Sequence, residues 1–254
     1  MAFGVDYQSE STPCVTDEQL DEIHRISQHN ADSLEKLGVF DRLSARRSGS
    51  LLYDYPLRAV SSRGALHAIN LSNYVDHDTS SGQLDHNCGT HTYNGHGGTD
   101  YVHWPFPWYC QENDLIEVVA VQEGVLVGKR DTSNDTSCVW NFNRLPNYVS
   151  IRHADTTTGV YLHMKQGSIT IKSIGDTIAK GEKIGVVGSS GISSISHLHF
   201  HPRYKNGQIF DPHFGSCNPN VSSSKWASPE PYRPPHFNAA FTHYTRPKLG
   251  NCKY

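Results

Sequence analysis

The first hydrophobic pattern along the chain has the period of a helix. Residues 16–37 open with Thr16-Asp17-Glu18-Gln19, which has the spacing of a capping box, and Gly38 follows as a stop signal. Apolar side chains recur towards one face at Leu20, Ile23, Ile26, Leu34 and Leu37. We therefore predict an amphipathic helix within an N-terminal helical extension that spans residues 1–47.

From Ser48 onward the pattern changes to short β-type segments separated by Gly, Asn, Asp and Ser turns. The predicted segments are Leu51–Val60, Ala65–Val75, Ile116–Val127, Tyr148–His153, Val160–His163, Ser168–Lys172, Lys183–Val187 and His197–His201. Because no second long helical period alternates with them, an antiparallel sheet is favoured over βαβ units. The predicted fold class is mainly β, with an antiparallel sheet core over residues 48–217.

The composition shifts again after Cys217. Residues 218–238 contain five prolines and the run Ser222-Ser223-Ser224, and proline cannot donate a backbone hydrogen bond to a sheet. We expect residues 218–254 to form a proline-rich tail or linker.

Charge and hydropathy exclude two classes of partner. The 254 residues carry 22 Lys+Arg against 25 Asp+Glu, a formal net charge of −3, without any run of basic residues. No electrostatic footprint for nucleic acid or an anionic membrane surface is present. The apolar runs are far shorter than the roughly 20 residues that a membrane span needs, so we expect no membrane span.

Six cysteines are spread along the chain without a C-x-x-C pair: Cys14, Cys88, Cys110, Cys138, Cys217 and Cys252. Disulfides in an oxidising compartment are favoured over buried free thiols, and the pairing stays open. The first residues lack the apolar segment of a secretory signal. We expect a secreted or periplasmic protein whose signal peptide has been removed.

Histidine is the residue type that carries the chemistry, with 16 copies in the chain. In Ser196-His197-Leu198-His199-Phe200-His201 the histidines alternate with apolar residues. On a strand they share one face, while Leu198 and Phe200 point to the other. Two or three imidazoles on one face make half of a metal site.

A second group lies upstream, in Gly95-His96-Gly97-Gly98-Thr99-Asp100. The paired glycines favour a turn that runs into a strand, and they let the backbone pass close to an ion. His96, Asp100 and one downstream histidine would form a three-ligand set with open positions, the catalytic form of a zinc site. His163, in Tyr161-Leu162-His163, ends another short strand.

Several of these motifs occur in an order that resembles the LytM/lysostaphin-type zinc endopeptidases, a family of cell-wall peptidases. The resemblance covers residues 50–215 and rests on H-G-G-T-D (96–100), N-Y-V-S-I-R-H (147–153), Y-L-H (161–163), G-D-T-I-A-K-G-E-K-I-G-V-V-G-S-S-G (175–191) and S-H-L-H-F (196–200). It implies an active-site groove across one face of the sheet, with one Zn²⁺ per chain held by His96, Asp100 and His199. His163 and His197 would flank the zinc-bound water as catalytic residues.

The chemistry of this set agrees with the resemblance. Two neutral imidazoles and one carboxylate leave a zinc complex positively charged, which lowers the pKa of bound water from about 15.7 towards 7. Histidines beside the water can take its proton, stabilise the oxyanion and protonate the leaving amine. The expected function is hydrolysis of peptide cross-links in bacterial peptidoglycan by a monomer.

Other functions stay open at this point. A zinc peptidase acting on Gly-rich proteins would use the same residues, and a catalytically silent LytM-like binding or regulatory module would share the fold. An Fe(II) oxygenase would carry H-x-D, and a cupin would carry a glutamate soon after the histidine pair; neither is present at these motifs. His201 stands where many family members carry an acid. Trp104, Trp108 and Tyr109 could wall the groove or pack against the core.

Overall fold

The computed structural model describes residues 14–45, 51–60, 68–104, 106–136 and 144–232. The helices are α1 (Asp17–Lys36), α2 (Val39–Ala45) and α3 (Pro107–Glu112). The strands are β1 (Leu57–Ala59), β2 (Ala68–Asn73), β3 (Thr99–Trp104), β4 (Ile116–Val119), β5 (Gly124–Arg130), β6 (Tyr148–His153), β7 (Thr158–Leu162), β8 (Thr177–Ile178), β9 (Lys183–Val186) and β10 (His197–Phe200).

The strands form two antiparallel sheets, which confirms the predicted fold class. The smaller sheet has the order β1-β4-β9, and the larger one has the order β2-β3-β10-β7-β6-β5-β8. The main core includes Ile116 and Ile184 from the smaller sheet and Val149, Ile151 and Phe200 from the larger. The larger sheet therefore buries one face against the smaller sheet.

The opposite face of the larger sheet is covered by α1. Val15, Leu20 and Ile23 form a buried cluster with side chains of β6 and β7, among them Val160 and Leu162. Because side chains alternate along a strand, β7 places Tyr161 in the main core and its two neighbours under the helix. This explains why β6 and β7 are buried throughout.

Helix α1 matches its sequence signal closely. Thr16 accepts a hydrogen bond from the Gln19 N–H, and the Gln19 side chain accepts one in return from the Thr16 N–H, which completes the predicted capping box. Gly38, at φ +69°, follows the end of the helix. Leu37 does not join the apolar face as predicted: it lies beyond the last helical residue and its side chain is 76% exposed.

Two predicted strands are wrong in the structure. Residues 168–172 form no strand. The segment 116–127 is divided, so that β4 joins the smaller sheet and β5 the larger one. The chain bends between them at residues 120–123, which lets a single apolar run serve both sheets.

The described part of the predicted tail, residues 218–232, is mostly exposed but contacts the core at a few buried residues. Trp226 is buried and forms a bridge with Tyr53, and Val221 is also buried. The division of the chain at residues 47 and 217 stays a prediction. No helix among the described residues combines the length and apolar character required to cross a membrane.

Four of the six cysteines lie in the described residues. Cys88 and Cys217 form a disulfide across a separation of 129 residues. Cys14 and Cys110 are buried free thiols, which differs from the expectation for these two. Cys138 and Cys252 lie outside the described residues.

Candidate metal centre

Strand pairing brings Asp100 and His199 together. Antiparallel strands β3 and β10 place these two residues directly opposite each other, and opposite residues project from the same face. The Asp100 Oδ1 to His199 Nδ1 distance is 2.8 Å. The predicted alternation along β10 is confirmed, because Leu198 and Phe200 enter the main core on the other face.

His96 joins this pair from the turn before β3. Its Nε2 lies 3.1 Å from Asp100 Oδ2 and 3.2 Å from His199 Nδ1. Its Nδ1 lies 2.7 Å from the Tyr74 carbonyl oxygen. Because a carbonyl only accepts, Nδ1 carries a proton there, and in the neutral ring Nε2 presents its lone pair to the centre.

Burial and the single carboxylate set the electrostatics. Burial alone would raise the pKa of Asp100, but the two histidines hold it well below its ordinary value. Burial lowers the pKa of His199 to about 4, although Asp100 opposes this. Burial also tends to lower the pKa of His96, but Asp100 outweighs it and the pKa is raised. Asp100 therefore stays ionised, and its negative charge makes the centre attractive to a cation.

The donor set fits a tetrahedral divalent metal. Four bonds of about 2.0–2.3 Å in a tetrahedron hold the donor atoms about 3.3–3.7 Å apart. The three donor pairs measured here are 2.8, 3.1 and 3.2 Å apart, so they converge on one point and would separate by about 0.1–0.5 Å to reach the lower end of this range around an ion. The His96 and His199 rings lie at 74° to each other, so their edges converge rather than stack. His96, Asp100 and His199 are therefore the residues that could hold a metal.

His163 and His197 lie beside this centre. Their ring centroids are 4.5 Å apart, and the His163 ring is 5.9 Å from that of His199. The Nδ1 of each faces a carbonyl oxygen, Ser190 O at 2.7 Å for His163 and Ile195 O at 2.8 Å for His197. In the neutral rings both Nε2 atoms therefore carry a lone pair.

His163 is held in an uncommon conformation. It follows β7 at φ +64°, a region that residues other than glycine rarely adopt. Its Nε2 is buried and has no hydrogen-bond partner among the described residues. Burial and the nearby His197 keep the pKa of His163 well below its ordinary value. An orphaned basic nitrogen on strained backbone is typical of a functional position.

Two neighbours of the centre were not predicted. Asn73 Nδ2 donates to Asp100 Oδ2 at 3.1 Å, and Cys14 Sγ lies 3.2 Å from His199 Nδ1. Asn73 is brought there by the pairing of β2 with β3, and Cys14 precedes α1. Neither residue has a motif spacing relative to the histidines, so no signal in the sequence alone would have found them.

Three residues that the sequence analysis singled out do not join the set of potential metal ligands. His201 Nε2 accepts from Arg203 Nε at 2.7 Å, which leaves it as a packing residue. Trp108 is buried in α3, whereas Tyr109 is 38% exposed. The side chain of Trp104 lies outside the described residues.

A second cluster of potential ligands consists of His86, Asp211 and His213. Asp211 bonds to His213 Nδ1 at 2.9 Å and to His77 Nε2 at 2.8 Å. The His86 and His213 rings are stacked at 26°, so they do not converge edge-on as His96 and His199 do. Hydrogen bonding and stacking account for this cluster, which ties the 211–218 segment to the 77–86 loop.

Comparison with known proteins identifies the class. Residues 109–212 match the model of Peptidase family M23, which agrees with the LytM/lysostaphin-type resemblance. The matched range includes His163, His197 and His199; His96 and Asp100 lie upstream of it.

One curated relative is an uncharacterized metalloprotease from Haemophilus influenzae, 35% identical over 65 residues, or 26% of this chain and 13% of the relative. The chain thus matches only about an eighth of that protein's length.

Among solved structures, the catalytic domain of the prophage-encoded M23 protein EnpA from Enterococcus faecalis is 23% identical, covering 57% of this chain and 88% of that one, with a TM-score of 0.37. The catalytic domain of lysostaphin from Staphylococcus simulans is 20% identical, covering 61% and 96%, with a TM-score of 0.35.

Proposed function

We propose that this chain is a zinc-dependent endopeptidase that hydrolyses peptide cross-links of bacterial peptidoglycan. The observation that carries the proposal is the convergence of His96 Nε2, Asp100 and His199 Nδ1 beside two further histidines. The match of residues 109–212 to the model of Peptidase family M23 supports peptidase chemistry.

In this function His96, Asp100 and His199 hold the metal. Zinc, when bound, supplies a Lewis acid that polarises the scissile carbonyl and makes water more acidic. Asn73 orients the Asp100 carboxylate through its side-chain amide. Tyr74 fixes the ring of His96 through its carbonyl, an outer-shell bond of the kind that positions metal ligands.

His163 and His197 move the protons. An Nε2 lone pair accepts a proton from the attacking water. The Nε2–H so formed can then donate a hydrogen bond to the developing oxyanion and pass its proton to the leaving amine. Their Nδ1 bonds to Ser190 O and Ile195 O hold both rings in place through these steps.

The substrate preference follows from the loops beside the centre. Ser189, Ser190 and Ser193 lie next to the two histidines, and their buried hydroxyls bond within the protein. This loop therefore places small residues beside the centre and no large side chain that would select a bulky substrate residue. Small or glycyl residues next to the scissile bond are favoured. We place the activity outside the cytoplasm, in a secreted or periplasmic monomer whose catalytic domain spans residues 48–217.

Metal content tests the ligand assignment. The purified chain should bind about one zinc tightly, and tight binding should be lost in three variants: His96→Ala, Asp100→Ala and His199→Ala. The exposed residue His29 on α1 provides a matched control, and His29→Ala should bind zinc as the wild type does. Full zinc occupancy in any two of the three variants would exclude this site.

Activity tests the roles of the flanking pair and the substrate. His163→Ala and His197→Ala should keep zinc and lose about 10²-fold or more in kcat. Peptidoglycan of two cross-bridge types, a glycine-rich peptide and denatured casein should be compared side by side. Cleavage of the glycine-rich peptide alone would favour a peptidase of Gly-rich proteins. Zinc binding without hydrolysis of any of them, by the intact chain and also after removal of the segment up to the end of α1, would favour a silent binding module.

A further inference from the structure

Cys14 places a sulfur atom within the candidate metal centre. Its Sγ lies 3.2 Å from His199 Nδ1, and potential ligand atoms of Cys14, His96, Asp100 and His199 all lie within 4.8 Å of one another. All four side chains are buried. The centre therefore has four converging donors rather than three.

The same sulfur also faces the two flanking histidines. Potential ligand atoms of Cys14, His163 and His197 lie within 4.8 Å of one another. The sulfur therefore lies close to the three proposed metal ligands and also to the two flanking histidines. A peptide carbonyl and its attacking water have to occupy this position for the proposed hydrolysis.

Several contacts fix Cys14 where it is. Its N–H donates to the Tyr93 hydroxyl at 3.2 Å, and the Tyr93 ring lies 4.4 Å from that of His96. On the C-terminal side of Cys14, Val15 is buried in the cluster between α1 and the larger sheet, and Thr16 caps α1. Because anchors flank it on both sides, the thiol is presented to the centre by the fold.

Helix α1 covers the sheet face on which the ligands stand. His199 pairs directly with Leu162 across β10 and β7, so both project from one face. Leu162 packs in one cluster with Leu20 and Ile23 of α1. An extended peptide lying along this face from the centre would have to displace the helix.

We propose that Cys14 is a fourth, displaceable metal ligand, and that Cys14 and α1 together hold this chain in a closed form. On coordination the S–H bond breaks, the sulfur binds the metal and the proton leaves to solvent. Thiolate is a preferred zinc ligand, and four protein ligands convert an open catalytic site into a closed one. The inference rests on the proposed function, because it requires a metal at His96, Asp100 and His199.

Cobalt substitution tests the sulfur bond directly. The full chain loaded with Co²⁺ should show the thiolate-to-metal charge-transfer absorption in the near ultraviolet, and Cys14→Ala should lose it. Cys110 is the other buried free thiol of the described residues, and Cys110→Ala should keep the band. Co²⁺ binding without the band in the wild type would overturn the inference.

Thiol protection provides a second readout on the unmodified chain, which holds even if Cys14→Ala fails to fold. Alkylation mapped by mass spectrometry should proceed at Cys14 at least about tenfold more slowly with zinc than with a chelator, because a metal-bound thiolate is a poor nucleophile. The Cys110 rate serves as the internal reference and should not change. If zinc binds and both rates are unaffected, Cys14 is not a ligand; if no metal binds at all, the proposed function itself fails.

Discussion

Replacement of Gly98 by alanine should weaken metal binding at the candidate centre without replacing any of the three proposed ligands. A Cβ at this position would lie 2.5 Å from His199 Nε2 and 2.7 Å from the Phe200 carbonyl oxygen. Ordinary contacts begin at 3.4 Å, so atoms would have to separate by about 0.9 Å. The carbonyl belongs to the backbone of β10 and cannot swing aside.

This displacement has two measurable consequences. Overpacking of a buried position costs about 1–3 kcal/mol of folding free energy. Any tilt of the His199 ring or separation of β3 from β10 also moves Nδ1 relative to Asp100, and metal ligands tolerate only about ±0.2 Å. We expect zinc affinity to fall about 10–100-fold, the range found when groups that orient ligands are lost.

Two assays separate these effects. Competition with a chromophoric chelator gives the zinc affinity, and urea unfolding in excess chelator gives the stability of the metal-free protein. Gly82→Ala is the control, since its new Cβ would meet the movable carboxylate of Asp78. A Gly98→Ala variant with zinc affinity within about twofold of wild type would refute the close approach of this glycine to the His199 ring.

Three further predictions concern stability and metal dependence. Replacing Cys88 and Cys217 by serine should lower the free energy of unfolding by about 4–5 kcal/mol, the chain-entropy value for a loop of 129 residues. A decrease below about 1 kcal/mol in urea unfolding would contradict this. Asp211→Asn should lower the free energy of unfolding by about 1.5–3 kcal/mol at pH 7. The reason is that hydrogen bonds to His77 and His213 hold the pKa of the buried carboxyl below its ordinary value. A lowered pKa gives stability that is present above the unfolded value near 3.9 and lost as the pH falls through the folded pKa, so the difference should shrink at pH 3. Removal of metal by a chelator should abolish hydrolysis and added zinc should restore it; hydrolysis that persists in the metal-free protein would exclude a metal mechanism.

The parts of the fold that local pattern decides were predictable. The capping box and the apolar spacing place α1 to within one residue at each end. The alternation of histidine with Leu198 and Phe200 correctly assigns the two faces of β10. In both cases neighbouring residues in the sequence determine which side is buried, and no distant contact competes.

Features that depend on contacts between distant parts of the chain could not be predicted from the sequence pattern. The apolar run at 116–127 is uniform, yet β4 and β5 belong to different sheets. The register that sets Asp100 opposite His199 depends on strand pairing across the whole sheet. Cys14 is an ordinary cysteine by spacing, and only the docking of α1 brings its sulfur to the histidines. Resemblance to a family could name candidate ligands, but it could not place a side chain that the family motifs omit.

Burial under α1 determines how the closed form could open. Leu20 and Ile23 are buried at 5% and 1% exposure against the sheet, and exposing each side chain costs about 1.5–3 kcal/mol. Lifting the helix therefore costs about 3–6 kcal/mol from these two residues alone. At about 1.4 kcal/mol per factor of ten, the open population is about 10⁻² to 10⁻⁴ before the Cys14–metal bond is considered. For the proposed peptidase, spontaneous opening of this size predicts weak activity in the intact chain. We therefore expect full hydrolysis only after an event that removes or displaces residues 14–36, such as proteolytic cleavage after α1.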